Sequence, residues 1–264
     1  MNYRCVATSL EGFVQQLACN ILPHGYWLYV MGVLPDGKSL TGLDSKLIDK
    51  YGIDISRQQR SRRKLVGSAN LHYLRLGRVW IILATHGHHR FFEEECNNIR
   101  DARKVPIQIR DYSLSVNRGS FLKRVSCDDQ PSPDGKMHSR VQISRERYRE
   151  LCGYFLERAC HRSIESLSKE LFCLPFEPYA PVRRQSLNLL RLINEKRQQA
   201  GYAKLPTTVL RYKRRIVSPF EPIEPEATGD WKRPDAAKNT DPRRLVRHTA
   251  VVATTRTASP AKLL

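Results

Sequence analysis

The sequence predicts an α+β protein, with a mixed or antiparallel sheet, helices on one side of it, and a ferredoxin-like arrangement as one possibility. Three observations predict this class. Apolar residues recur at helical spacing early in the chain, short runs rich in β-branched and aromatic residues follow, and a long stretch of helical periodicity comes after them. A chain of 264 residues is long enough for one good-sized core or two small ones.

The chain opens with a helix, a strand and a second helix. A capping box formed by Thr8 and Glu11 predicts that the first helix begins near Ser9. Gly52 is placed to end the second helix in a left-handed conformation. The predicted ranges are 9–22 for the first helix, 26–34 for the strand and 43–51 for the second helix.

Strands dominate the next part of the chain. Apolar and polar residues alternate over 105–116, which is typical of one half-buried strand. A turn at Gly77 predicts that the two strands before that segment form a hairpin. The predicted strands are 69–76, 78–85, 105–116, 121–126 and 137–143.

The last part of the chain is predicted to be helical and basic. Ser144 is placed to cap a long helix that runs to about residue 172. Prolines at every third position then predict a stiff, extended connector between two domains. Two helices follow, over 182–200 and from Pro206 onward, and they fit either a helix-turn-helix or a helical hairpin packed on the first domain. The predicted division is 1–174 for the α+β core domain, 175–181 for the connector, 182–220 for the basic helical region and 221–264 for a disordered tail.

Positive charge is the strongest signal in the composition. Lysine and arginine total 45 against 26 acidic residues, a net charge of +19. An arginine-rich excess of this size favours salt-dependent attraction to a polyanion. The expected partner is therefore nucleic acid, DNA in single-stranded or structured form above all, and a basic solubilising surface is the alternative explanation.

Other features indicate a cytoplasmic protein. No apolar run approaches the roughly 18 residues that span a bilayer, and the first residues lack an apolar signal core. The seven cysteines are scattered and form no Cys-x-x-Cys pair, which favours free thiols over a disulfide framework or a zinc ribbon. We expect no membrane segment, and the sequence leaves the oligomeric state open, a dimer included.

Two arginine-rich clusters are the candidate contacts to nucleic acid. The first carries five positive charges in eight residues, and it fits either a solvated helix face or a phosphate clamp beside the central strands. In the second cluster, contact with phosphates is favoured over base reading, because Asn and Gln are sparse there. The candidate residues are Arg57, Arg60, Arg62, Arg63 and Lys64 in the first cluster, and Arg211, Lys213, Arg214 and Arg215 in the second.

Three histidines in four positions follow the most apolar short run of the chain. On a strand, His86 and His88 share one face, and a carboxylate such as Glu93 or Glu94 can complete a divalent-cation site. His86 and His89 are the other possible pair if the backbone turns between them. The same residues also fit a strand that simply leaves the core into a polar loop.

A strand-borne His-x-His followed by a tyrosine on a later helix resembles the HUH single-strand nucleases, which include small tyrosine transposases and rolling-circle replication initiators. The resemblance covers residues 26–172 and rests on the order strand, helix, hairpin, histidines, long helix. It implies that His86 and His88 hold a Mg²⁺ or Mn²⁺ ion that polarises a scissile phosphate. It also implies that Tyr148 or Tyr154 attacks that phosphate and forms a 5′-phosphotyrosine link.

The chain departs from that family in two ways. Gly87 stands where the family has a bulky hydrophobic residue, and no glutamine or other ligand follows either tyrosine by one turn. Tyr148 falls on the apolar face of its predicted helix, which also suits a core residue, whereas Tyr154 falls on the flank. The chain as a whole resembles uncharacterised bacterial proteins, which implies no function.

The sequence therefore predicts a nucleic-acid-binding protein. The sharper hypothesis is metal-dependent nicking or strand transfer on single-stranded DNA, and it would tie the protein to a mobile element. A DNA- or RNA-binding protein without catalysis is the alternative.

Overall fold

The computed structural model describes residues 3–119, 122–123, 130 and 132–220. The predicted disordered tail at 221–264 and most of the strand predicted over 121–126 lie outside the described residues. The described residues belong to one compact unit, and the proline-containing connector at 175–181 lies inside that unit.

The first sheet has four antiparallel strands in the order β2-β3-β1-β4. Helices α2 and α3 connect β1 to β2, and the single turn α4 connects β3 to β4, so each connected pair of strands is split by a third. A ferredoxin-like arrangement is compatible with this order. The strands are β1 (Leu28–Val33), β2 (Leu71–Leu76), β3 (Val79–Ala84) and β4 (Arg100–Asp101), and the helices are α1 (Leu10–Gln15), α2 (Leu40–Tyr51), α3 (Arg57–Leu65) and α4 (Phe91–Glu94).

A second antiparallel sheet has the order β5-β6-β9, and β7 and β8 form a separate pair. The α+β class with antiparallel strands is confirmed, although the strands divide into separate sheets. The continuous strand predicted over 105–116 is wrong, because the chain turns at Arg110, whose φ is 48°. The strands are β5 (Ile107–Ile109), β6 (Tyr112–Arg118), β7 (Leu122–Lys123), β8 (Ser132–Pro133) and β9 (Met137–Ile143).

Both faces of the first sheet are buried, each against different elements. On one face, Tyr29, Leu74 and Ile81 join the main core with α1 and the second sheet. On the other face, Ile82 packs in a smaller core with Tyr51 of α2 and with α4. Helical segments therefore cover both faces of this sheet, whereas the sequence predicted helices on one side.

The start of α1 differs from its prediction by one residue. Ser9, not Thr8, is the cap, and its Oγ accepts a hydrogen bond from the backbone N–H of Gly12 at 3.1 Å. The structure has a reciprocal capping box at α3, where Ser56 and Gln59 satisfy each other's backbone amides. That cap fixes the point at which the first arginine cluster enters a helix.

The long helix predicted after Ser144 is two helices. Helix α5 (Arg145–Arg158) ends where the buried Arg197 donates to the carbonyl of Ala159 at 2.6 Å, and Ser163 caps α6 (Ile164–Phe172). Helix α7 (Ala180–Gln199) follows the connector and packs on β9 and α5. Among the described residues, no helix combines the length and the apolar character that a membrane span requires.

The second basic helix predicted from Pro206 is also wrong. Only a short 3₁₀ turn, Thr207–Val209, forms there, and the residues that follow are irregular. Asn194 holds this segment to α7, because its side chain both donates to the carbonyl and accepts from the amide of Leu205. The described chain therefore has no helix-turn-helix at this point.

Candidate nucleic-acid interface

A cleft of about 420 Å³ lies between α3 and the ends of β1 and β3. Its lining combines positive charge, aromatic rings and small polar groups. We call it the α3 cleft. The cationic side chains that line it are Arg57, Arg60 and Lys64, the histidines are His24 and His86, and the larger rings are Tyr26 and Trp27.

The first arginine cluster divides into two sets on α3. Arg57, Arg62 and Lys64 are exposed, so their charges are available to a ligand. Arg63 is half-buried and donates to the carbonyl of Gly52 at 3.4 Å. The structure therefore brings Arg57 and Lys64 to the α3 cleft, and Arg62 to the solvent side of the same helix.

Arg60 points inward and has a structural task. Its guanidinium donates to the carbonyls of Ile53 and Leu71, both at 3.0 Å. Nη1 also lies 3.2 Å from Nε2 of His72, which places the imidazole proton on Nδ1. Burial, followed by the charge of Arg60, lowers the pKa of His72 to about 3, so this histidine is neutral at physiological pH.

The loop after β3 carries His86, His88 and His89, and we call it the histidine loop. It turns sharply at Gly87. Gly87 has a φ of 138°, and a Cβ there would lie 2.6 Å from the backbone N of Ala69 and the carbonyl oxygen of Gly67. The amide of His88 donates to that same carbonyl at 2.9 Å. Only glycine allows the loop to approach residues 67–69 this closely. His86, just before this turn, lines the α3 cleft.

His86 belongs to a packed group at one wall of the cleft. Nη2 of Arg103 lies 3.2 Å from its Nε2, and the same guanidinium lies 4.7 Å from the ring centre of Trp27. Asp101 accepts hydrogen bonds from Arg103 with both carboxylate oxygens, and this contact lowers the pKa of Asp101. The indole N–H of Trp27 donates to the carbonyl of Leu22, so the ring is held in a fixed orientation.

The residues predicted to bind Mg²⁺ or Mn²⁺ are not gathered into one group. Among the described residues, no cluster of three or more His, Cys, Asp and Glu side chains is placed to hold a metal ion. Glu94 forms an ion pair with Lys50 at 2.7 Å, and Nδ1 of His89 accepts from the amide of Phe91 at 3.1 Å. A metal site at His86, His88 and Glu94 stays a prediction.

The two candidate tyrosines contact other helices. The hydroxyl of Tyr148 donates to the carbonyl of Gln185 on α7 at 3.1 Å, and burial raises its pKa to about 12. The hydroxyl of Tyr154 donates to Glu170 of α6 at 3.0 Å, and Arg158 lies 3.7 Å above its ring. These contacts join the tyrosines to α6 and α7, not to the histidine loop.

The second arginine cluster closes on a buried acid. Glu177 is 3% exposed and accepts from Arg211 at 3.1 Å and from the Nε of Arg215 at 3.2 Å. Arg214 donates to the hydroxyl of Tyr179 at 3.1 Å, whereas Lys213 is exposed. We call Glu177, Arg211 and Arg215 the Glu177 clasp. Its ion pairs hold the irregular segment after the 3₁₀ turn against the connector.

Sequence reasoning missed Trp27 and Asn70 as lining residues of the cleft, and Arg103 as the residue that contacts Trp27 and His86. The aromatic run that contains Trp27 predicted a strand, and nothing local connects that run to residues 40 to 80 positions later. Comparison with protein-family models, curated proteins and solved structures finds no match for this chain. A functional assignment therefore has to follow from the chemistry of the α3 cleft.

Proposed function

We propose that this protein binds single-stranded nucleic acid in the α3 cleft. The observation that carries the proposal is the combination of Arg57 and Lys64 with Tyr26 and Trp27 around one cleft. Cations attract the phosphate backbone without regard to sequence, and aromatic rings offer surfaces on which unpaired bases stack.

The shape of the site favours a single strand over a duplex. Trp27 is half-buried and Tyr26 is buried in the wall of the cleft, while Arg57, Arg62 and Lys64 are exposed on the helix beside it. A base that enters the cleft must first leave its own stack, which costs little in a single strand and more in a duplex. The sequence favours DNA, and RNA is the competing ligand that an experiment has to compare.

The proposal covers binding without strand transfer. The hydroxyls of Tyr148 and Tyr154 donate to Gln185 and Glu170, and His86 accepts from Arg103. A nucleophile and its metal ligands have to meet at one phosphate, and these contacts hold the groups at different elements.

The test is a salt titration of binding to labelled single-stranded DNA, single-stranded RNA and duplex DNA. We expect the single strands to bind more tightly than the duplex, and affinity to fall steeply as salt rises. Replacing Arg57 and Lys64 together with alanine should reduce the slope of log K against log salt by about 1.4, because each lost phosphate contact in a single strand removes about 0.7.

The control changes the same charge elsewhere. Arg184 and Lys204 are exposed, and neither lines the α3 cleft, so their double alanine variant should lose much less affinity. Affinity that does not change with salt would refute nucleic-acid binding. Equal losses in the two double variants would refute the placement of the ligand in this cleft.

A further inference from the structure

The α3 cleft contains a buried acceptor that lacks a partner. Asn70 lines the cleft and is 5% exposed, and among the described residues its Oδ1 has no hydrogen-bond partner. Buried polar atoms are nearly always paired, so an unpaired one next to a cleft suggests that a ligand supplies the missing donor.

The orientation of this amide is set by its other contacts. Nδ2 of Asn70 donates to the carbonyl of Arg60 at 2.9 Å. Rotating the amide by 180° would place Oδ1 against that carbonyl, so two acceptors would face each other. The backbone amide of Asn70 also donates to Oγ1 of Thr85 at 2.9 Å, which fixes the start of the side chain.

We propose that Oδ1 of Asn70 accepts a hydrogen bond from the exocyclic amino group of an unpaired adenine or cytosine in the α3 cleft. This inference rests on the proposed binding of single-stranded nucleic acid. An asparagine with a free amide reads both the amine and the ring nitrogen of adenine. Here one N–H of Nδ2 donates to the carbonyl of Arg60, and Oδ1 is the atom that lacks a partner, so the inference concerns recognition of the amine.

Thymine and uracil lack that amine. Their exocyclic oxygens are acceptors and would face Oδ1 without a hydrogen bond between them. Oδ1 lies below the surface that water reaches, so a base gains access when a side chain at the cleft moves. Lys64 is an exposed side chain of the cleft lining, so it can change its rotamer when a strand binds.

The experiment deletes only the amino group of one base. Oligothymidines of eight residues carry a single central adenine, purine, cytosine or 2-pyrimidinone, and their affinities are measured at one low salt concentration. We expect the wild-type protein to bind the amine-bearing member of at least one pair about tenfold more tightly. Asn70→Ala should bind both members of each pair equally.

A matched variant separates the acceptor of Asn70 from the loss of an asparagine elsewhere. Asn188→Ala removes an exposed amide that does not line the α3 cleft, so we expect the preference for the amine to persist. If Asn70→Ala fails to fold by circular dichroism, the wild-type comparison of the four oligonucleotides still decides.

The outcomes distinguish this inference from the function on which it rests. Salt-dependent binding by the wild-type protein that ignores the amine in both pairs would overturn the role of Asn70 and leave the proposed function standing. A preference for the amine that survives in Asn70→Ala would also overturn that role. Loss of all salt-dependent binding would instead refute the proposed function.

Discussion

The two arginine-rich clusters look alike in the sequence and differ in the structure. Around α3, Arg57, Arg62 and Lys64 are exposed, and two of them line a cleft with aromatic rings. In the Glu177 clasp, by contrast, Arg211 and Arg215 close on one carboxylate. The difference shows that the density of positive charge does not decide whether a cation can meet a ligand.

Whether a cation is available to a ligand depends on whether a buried carboxylate or carbonyl already accepts its hydrogen bonds. A guanidinium carries five donors, and where the fold leaves acceptors unpaired it satisfies them before any ligand arrives. Glu177 does this for the second cluster, and the carbonyls of Ile53 and Leu71 do it for Arg60. We therefore expect inward cations to control stability and outward cations to control binding.

The largest effect should come from Glu177→Gln. Removing the buried charge leaves Arg211 without its counter-ion, and we expect unfolding to become easier by about 2 to 3 kcal/mol. The figure lies below that for a fully buried pair because the side chain of Arg215 is 67% exposed. Urea denaturation measures it, and Glu150→Gln is the control, since its carboxylate is 64% exposed and its pair with Arg147 should contribute under about 1 kcal/mol.

Equal losses in Glu177→Gln and Glu150→Gln would show that the clasp is not a structural contact. The salt dependence of DNA binding should stay the same in Glu177→Gln, provided the protein is still folded. A gain in affinity would instead mean that the freed arginines had become available to phosphate.

The strands of this fold were more predictable than the points where the chain turns. Strand β9 matches its prediction at both ends, because alternation over 137–143 reflects one buried face. The turn at Arg110 does leave a signal that the prediction of one continuous strand overlooked: buried residues lie at odd positions up to Ile109 and at even positions from Tyr112, so the alternation changes phase between these two paired residues. The break after α5 depends on Arg197, a contact 38 residues away that no local pattern reveals.

The second largest effect should separate two neighbours on α3. Arg60→Ala leaves buried carbonyls unpaired, and we expect a loss of about 2 kcal/mol in the free energy of unfolding. Arg62→Ala should change that free energy by less than about 0.5 kcal/mol, since Arg62 is exposed. Urea denaturation of both variants decides, and a larger loss in Arg62→Ala would break the distinction between inward and outward cations.

Less of the candidate site than of the fold could be predicted. The sequence left the first cluster as either a solvated helix face or a phosphate clamp beside the central strands; the structure has Arg60 donating to Leu71 of β2, and a phosphate clamp stays a prediction. The sequence could not separate Arg60 from Arg62, since both occupy the same helix and only the carbonyls beneath Arg60 distinguish them. Asn70 carried no signal, because an unpaired oxygen is a property of the folded environment.

A pH titration should give the third effect, through the histidine that Arg60 contacts. The pKa of His72 falls from its usual 6.5 to about 3 on folding, so the unfolded chain binds the extra proton between those values. Stability is therefore lost as pH falls below 6.5, and linkage gives about 1 kcal/mol between pH 6.5 and pH 5.5 from this group. His72→Gln should flatten that part of the stability profile.

The groups that face His72 explain why a control is needed. Arg60, Tyr3 and Tyr26 surround the ring, and His24 adds a weaker charge. Asp101 also makes the free energy of unfolding fall on acidification, because Arg103 lowers the pKa of its carboxyl in the folded protein. His88→Gln, which replaces an exposed histidine, should keep the wild-type profile, and a profile flattened equally by both variants would contradict the role of His72.

The smallest effect should come from Tyr154→Phe, which also tests the strand-transfer hypothesis. The change removes a hydroxyl that donates to Glu170 on the surface, and Tyr154 is 42% exposed, so we expect less than about 1 kcal/mol in stability. Affinity for single-stranded DNA should not change, because Tyr154 does not line the α3 cleft.

With Mn²⁺ and a pool of hairpin-bearing strands, the wild-type protein should give no SDS-stable adduct, since the contacts of Tyr154 join it to α6. An adduct that forms in the wild type and disappears in Tyr154→Phe would overturn this expectation. It would mean that the hydroxyl of Tyr154 breaks its hydrogen bond with Glu170 and moves next to the histidine loop. The function would then be catalysis instead of binding alone.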